Sequence, residues 1–219
     1  MPFAAPPPYA AWEHREARSG FEVVFLRADG DGYGLEGQTA AVEEGEAWAV
    51  HYVIAVDRGW RTRSARVSNL AAAGRRELRV EADGAGRWRL DGEPAGHLDG
   101  CLDLDLESSS LTNAFPVHRL GLAIGEAADA PAAYVRALDL SVERLEQHYV
   151  RLEDDGPRRR YHYTAPRFEF ECELVYDESG LVIDYPGIAV RSARRRCRSP
   201  ASARSSRAST PPPASGRAG

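Results

Sequence analysis

Along most of the chain apolar side chains recur at every second position, in short runs broken by Gly, Asp, Asn and Pro. A period of two marks half-buried strands. It predicts strands over Phe21–Arg27, Tyr33–Val42, Ala47–Val56, Trp60–Asn69, Arg76–Ala82, Arg87–Leu90, Cys101–Leu106, His118–Ile124, Ala133–Glu143, Gln147–Leu152, Tyr161–Thr164, Phe168–Tyr176 and Leu181–Tyr185. A helix is the alternative near Ala132–Gln147, but Tyr134, Val135, Leu138, Leu140 and Val142 run mostly in alternation and favour a strand. Turn residues sit where hairpins need them: Asp29-Gly30-Asp31-Gly32, Asp57-Arg58-Gly59, Asp83-Gly84-Ala85-Gly86, Asp91-Gly92 and Glu178-Ser179-Gly180. The pattern predicts an all-β, antiparallel sandwich or barrel of about a dozen strands over residues 9–190.

Composition refines this. A hydrophobic content of 43% in 219 residues is enough for a real core. Residues 191–219 have almost no large apolar side chain and cannot offset their chain entropy, so a disordered Arg/Ser/Pro-rich tail is expected there. They hold eight Arg and no acid, leaving 20 Arg against 33 Asp and Glu, a net of −13, in residues 1–190. An acidic body disfavours nucleic acid as a partner, since DNA binding needs phosphate neutralisation. No apolar run nears the roughly 20 residues of a transmembrane helix. Met1–Ala11 lacks the basic and apolar regions of a signal peptide, so a cytoplasmic location is expected. All 28 basic residues are Arg, which favours bidentate pairing with any buried carboxylate.

Cysteines 101, 172 and 197 are odd in number and far apart, which fits small buried hydrophobes, not a disulfide framework or zinc site. No GxGxxG, Walker or GxSxG motif is present, and no cofactor or metal is implied.

The chemistry concentrates between Trp60 and Arg119. In a strand, Arg61 and Arg63 share one face, and Trp60, Thr62 and Ser64 the other. In Leu98–Leu106, Asp99, Cys101, Asp103 and Asp105 point one way and the leucines the other. That face is either solvated or turned into a barrel interior, where the carboxylates would have to meet Arg61, Arg63 or Arg119. An enzyme acting on a small polar metabolite through Asp103, Asp105 and Arg119 is one alternative, and a structural or interaction module with a filled barrel is another.

Several runs give the chain a recognisable signature: WRTRSARV at 60–67, GRW at 86–88, LDGCLDLDL at 98–106, TNAFPVHRL at 112–120, QHY at 147–149 and GLVIDYPGIAVR at 180–191. In order and spacing they resemble the bacterial putative glycolipid-binding family, formerly a domain of unknown function. The resemblance implies one large antiparallel β-barrel-like domain, shaped like carriers that hold acyl chains in a hydrophobic cavity. It implies a non-catalytic binding protein for a lipid-like or glycolipid molecule. On the matching motifs it assigns the cavity or its rim to Trp60, Arg61, Arg63, Trp88, Asp103, Asp105, Thr112, Asn113, Arg119, Gln147, Tyr149, Asp184 and Tyr185. A glycolipid head suits amide, carboxylate, guanidinium and aromatic partners, with Trp60, Trp88 and Tyr149 as the stacking face, and its tails suit apolar walls.

Overall fold

The computed structural model describes residues 2–192. The expected tail, apart from its first two residues, lies outside the described residues. The described residues are all-β, with one short α-helix and three 3-10 turns.

Its centre is an antiparallel meander of β2 (Ser19–Asp29), β3 (Gly32–Glu43), β4 (Glu46–Asp57), β5 (Thr62–Ala71) and β6 (Gly74–Ala82). β1 (Tyr9–His14) precedes it, and β7 (Trp88–Leu90) and β8 (Glu93–Pro94) follow. The C-terminal half adds β10 (Ala127–Asp129), β13 (His148–Arg151), β14 (Arg159–Ala165), β15 (Phe170–Tyr176), β16 (Val182–Tyr185) and β17 (Ala189–Arg191). All pair in one 14-stranded sheet, which β1 joins at mid-sheet by pairing with β2 on one side and β17 on the other. β9 (Asp103–Leu106), β11 (Ala132–Val135) and β12 (Val142–Leu145) form a separate three-stranded sheet.

Several expectations need correction. The large sheet is not a closed barrel: β10 and β8 are free ends of the hydrogen-bonded order. The pairing of β9 with β11 is parallel. His118–Ile124 is not a strand, because helix α1 (Ala114–Leu120) occupies its start. Pro116 sits in the helix's first turn, where its missing N–H has no intrahelical partner to lose, and Gly121 ends the helix at φ 57°. Ala133–Glu143 is not one strand, because the chain turns between β11 and β12 with Leu140 at φ 58°. Trp60 precedes its strand, at φ 60°. A register shift opposite Ala55/Val56 also separates Thr62, which is buried, from Ser64, which is exposed.

The meander faces alternate as the period requires, with β3 and β4 buried at every second residue. Its buried face is filled. Leu35, Tyr52, Ile54, Val67 and Val80 pack there against Leu98, Leu104, Leu111 and Phe115 of the segment that carries β9. Polar side chains on the same face tie that segment down. Thr62 Oγ1 accepts from Leu104 N at 2.9 Å, and Thr39 Oγ1 donates to the Ser108 carbonyl at 2.7 Å. Asn69 Nδ2 donates to the carbonyls of Ala137 and Leu138 at 2.9 and 2.8 Å. Gly37 has a steric reason: a Cβ there would lie 2.3 Å from the Tyr52 ring, which crosses it to reach Glu22.

Candidate functional site

The small sheet and the C-terminal strands do not pack completely. Between them lies a cavity of about 280 Å³. Its floor is polar, made by Asp105, Ser108, Ser110 and Asn113 together with His14 at the end of β1 and Arg18 in the following turn. The rest of its lining is aromatic and aliphatic: Tyr134, which pairs with Asp105 across the small sheet, Leu145, Tyr163, Phe168, Phe170 and Tyr185. The rings hold each other in tilted and edge-on packing, with Tyr163–Tyr185 centroids 6.2 Å apart and Phe170–Tyr185 6.0 Å apart.

Asp105 is the titratable group whose environment is most telling. β9 projects it between the two sheets, where it accepts hydrogen bonds from Thr112 Oγ1 at 2.8 Å and Gln147 Nε2 at 2.7 Å. Burial pushes its pKa up to about 6 despite those bonds, and the neighbouring Asp103 and Glu107 add to the rise. Gln147 Nε2 also donates to Tyr163 Oη at 3.0 Å, linking the acid to the aromatic wall.

The serine loop that forms the floor is fixed from behind by Glu22, which is fully buried. Glu22 accepts from Tyr52 Oη at 2.6 Å, Ser109 Oγ at 2.5 Å and Ser110 N at 2.8 Å. Burial raises its pKa, and the three hydrogen bonds work against that rise.

Of the residues expected at the site, Asp105, Asn113 and Tyr185 line the cavity. Thr112 and Gln147 hold Asp105 in place. Tyr149 is buried just behind, its Oη donating to Asn113 Oδ1 at 3.4 Å. The others do not line it. Asp103 is buried and bidentate to Arg119, with Nη2–Oδ2 at 2.5 Å and Nε–Oδ1 at 3.0 Å. Asp103 and Asp105 are therefore turned inward and paired, while Asp99 is exposed. Trp60 stacks on His118 at 3.8 Å and Trp88 Nε1 donates to the Cys101 carbonyl at 2.8 Å, so both are core residues and not a stacking face. Arg61 and Asp184 are exposed, and Arg63 donates to the Asp83 carbonyl at 2.5 Å.

The sequence reading missed His14, Arg18, Ser110, Tyr134, Tyr163, Phe168 and Phe170. Tyr134, Tyr163, Phe168 and Phe170 fall within expected strands; nothing local marks His14, Arg18 or Ser110. Cys101 is buried and Cys172 half-buried, and burial pushes their thiols up to about 11 and about 12, which suits packing and not nucleophilic chemistry. Among the described residues no group of three or more His, Cys, Asp or Glu is placed to hold a metal ion, and no helix is long and apolar enough to cross a membrane.

A family model described as Putative glycolipid-binding matches residues 9–191. The chain belongs to that family. A crystal structure of a DUF1089 family protein from Pseudomonas aeruginosa is similar at 36% identity and a TM-score of 0.67, over 78% of this chain and 92% of that one. A beta-barrel-like protein of the domain of unknown function DUF1849 from Brucella abortus shares the fold at 10% identity and a TM-score of 0.52, over 86% and 95% of the two chains. No curated protein matches. The runs that carry the resemblance fall on β5, β7, β9, α1, β13, β16 and β17.

Proposed function

We propose that this protein binds an amphipathic small molecule in the cavity between the small sheet and β14–β16, without chemical turnover. The observation that carries the reading is the mixed lining: polar groups of Asp105, Ser110, Asn113 and Arg18 beside side chains of Tyr, Phe and Leu. A ligand with one polar and one apolar end satisfies both surfaces at once. The family description, with its glycolipid, supports the same class. The filled buried face of the meander supports a purely structural role for that face, since the cavity lies between the small sheet and β14–β16.

Native mass spectrometry of protein purified from its host tests the proposal. A co-purifying lipid-sized mass is expected, along with displacement of a fluorescent fatty acid. A bare protein mass without displacement would count against binding.

Asp105 supports a second reading, an acid–base enzyme, because a half-buried carboxyl with a pKa of about 6 in a cavity is suited to proton transfer near neutrality. Asp103 and Arg119 no longer contribute to it, being paired with each other. Conversion of a co-purified ligand that D105N abolishes without loss of binding would favour this reading.

A further inference from the structure

Three residues that line the cavity carry buried side-chain atoms without hydrogen-bond partners. Among the described residues, buried side-chain atoms without a partner include His14 Nδ1, Arg18 Nε and Ser110 Oγ. These three residues all line the cavity and are 6, 9 and 2% exposed. Native interiors rarely leave such groups unmatched, because the lost hydration is not repaid.

Arg18 is the sharpest case. Its Nη1 donates to the Glu107 carbonyl at 3.0 Å and lies 3.8 Å from Glu43 Oε2, while the guanidinium sits 5.3 Å over the Trp48 ring. No carboxylate meets it as closely as Asp103 meets Arg119, at 2.5 Å. The other charges of the lining are engaged: Arg136 is 3.4 Å from Glu107, and Asp105 is held by Thr112 and Gln147. One buried positive charge therefore borders the cavity with its Nε edge unmatched.

We infer that the cavity takes a single-chain, monoanionic amphiphile whose carboxylate sits on the Nε edge of Arg18 and on Ser110 Oγ, with its chain along Tyr163, Phe170 and Tyr185. This rests on the amphiphile reading and narrows it. A guanidinium edge matches a planar carboxylate in a two-bond fork. Asp105 and Glu107 on the same floor repel a second negative charge, which disfavours a phosphate monoester. Burial and the nearby Arg18 lower the His14 pKa to about 4, so at neutral pH it is an uncharged partner for a hydroxyl on the ligand. The volume, about 280 Å³, lies just below the usual range for ligand pockets, about 300–1,000 Å³, which favours one chain over two. Glu22 fixes the Ser110 backbone at 2.8 Å, so the anion site is organised before the ligand arrives.

Binding of decanoate, decanol, decyl phosphate and octyl glucoside to the full chain, measured by calorimetry, tests the inference. Decanoate is expected to bind at least about tenfold tighter than decanol, with decyl phosphate no tighter than decanoate. R18Q should erase the preference for decanoate over decanol. S110A should shrink the preference in the same direction. If decanol or octyl glucoside matches decanoate in the wild type, the anion inference is overturned and the amphiphile reading stands. If none of the four binds, the amphiphile reading itself fails. Should R18Q not fold, the wild-type head-group series and S110A still decide.

Discussion

Two carboxylates one residue apart on β9 behave in opposite ways, and their environments explain it. Asp103 is buried against Arg119, so its charge is matched by a guanidinium fork. Removing one partner strands the other. R119M is expected to cost about 3–5 kcal/mol in urea unfolding, and D103L/R119M to recover most of that loss, since an apolar pair has no charge to desolvate. Equal losses in the single and double variants would mean that the packing of the Arg119 stem, not its charge, matters. Asp105 has only neutral partners, Thr112 and Gln147. Its carboxyl shifts from an ordinary 3.8 to about 6 in the folded chain. The folded state thus holds this proton more tightly than the unfolded state. Its contribution favours folding fully below pH about 4 and is lost as pH rises through about 6. D105N lacks that dependence. Relative to wild type, it should gain about 2 kcal/mol between pH 4 and pH 7.5, after allowance for the partial exposure of Asp105. Urea midpoints at the two pH values measure this, and a wild type that gains on the variant over that range would refute it. Asp105 was legible in the sequence because Asp–Leu alternation isolates it. Arg18 and Ser110 were not, because their role depends on chain returning from 89 positions away, as in the Arg18–Glu107 bond.

The long strands of the meander were readable because each has one wet and one dry face, which fixes both period and register. In the small sheet the strand expected over Cys101–Leu106 forms as β9, but Ala133–Glu143 holds two strands, β11 and β12, with a turn between them that the alternation hides. Asp103, Leu104 and Leu106 are all buried, so β9 has no solvent face and its alternation reported chemistry, not exposure. α1 was misread because Pro116 looks like a break, whereas in a first turn it is tolerated. The element that anchors this inner layer is the β11–β12 turn, held by Asn69. Besides its two bonds to that turn, Asn69 Oδ1 accepts from Arg76 N at 3.1 Å. N69A removes all three and leaves buried carbonyls unmatched, which should cost about 2–3 kcal/mol. Hydrogen exchange should also speed up in peptides spanning residues 136–141, while β3 and β4 stay protected. Unchanged exchange in that turn would show that Asn69 is not its anchor.

Across the whole molecule, the order of strands makes β1 the hinge of the assembly. In the large sheet, hydrogen bonds pass from the meander to β13–β17 only through β1, which pairs Trp12 with Glu22 on one side and Arg191 on the other. Trp12 is fully buried, its Nε1 donates to the Val182 carbonyl at 2.8 Å, and the Arg191 guanidinium lies 4.9 Å over its ring. A second seam runs through the interior, where β9 meets β5 through Thr62 and Asp105 meets β14 through Gln147 and Tyr163. W12A opens a large void at the first seam and should cost about 3–5 kcal/mol. With two seams, the two halves remain coupled. Peptides from β2–β6 and from β14–β16 should therefore lose exchange protection at the same urea concentration, shifted down together. If β14–β16 opens while β2–β6 stays protected, the inner seam does not couple the halves. The cavity, which lies between the small sheet and β14–β16, would then open with that half, and ligand binding would be lost before the meander unfolds.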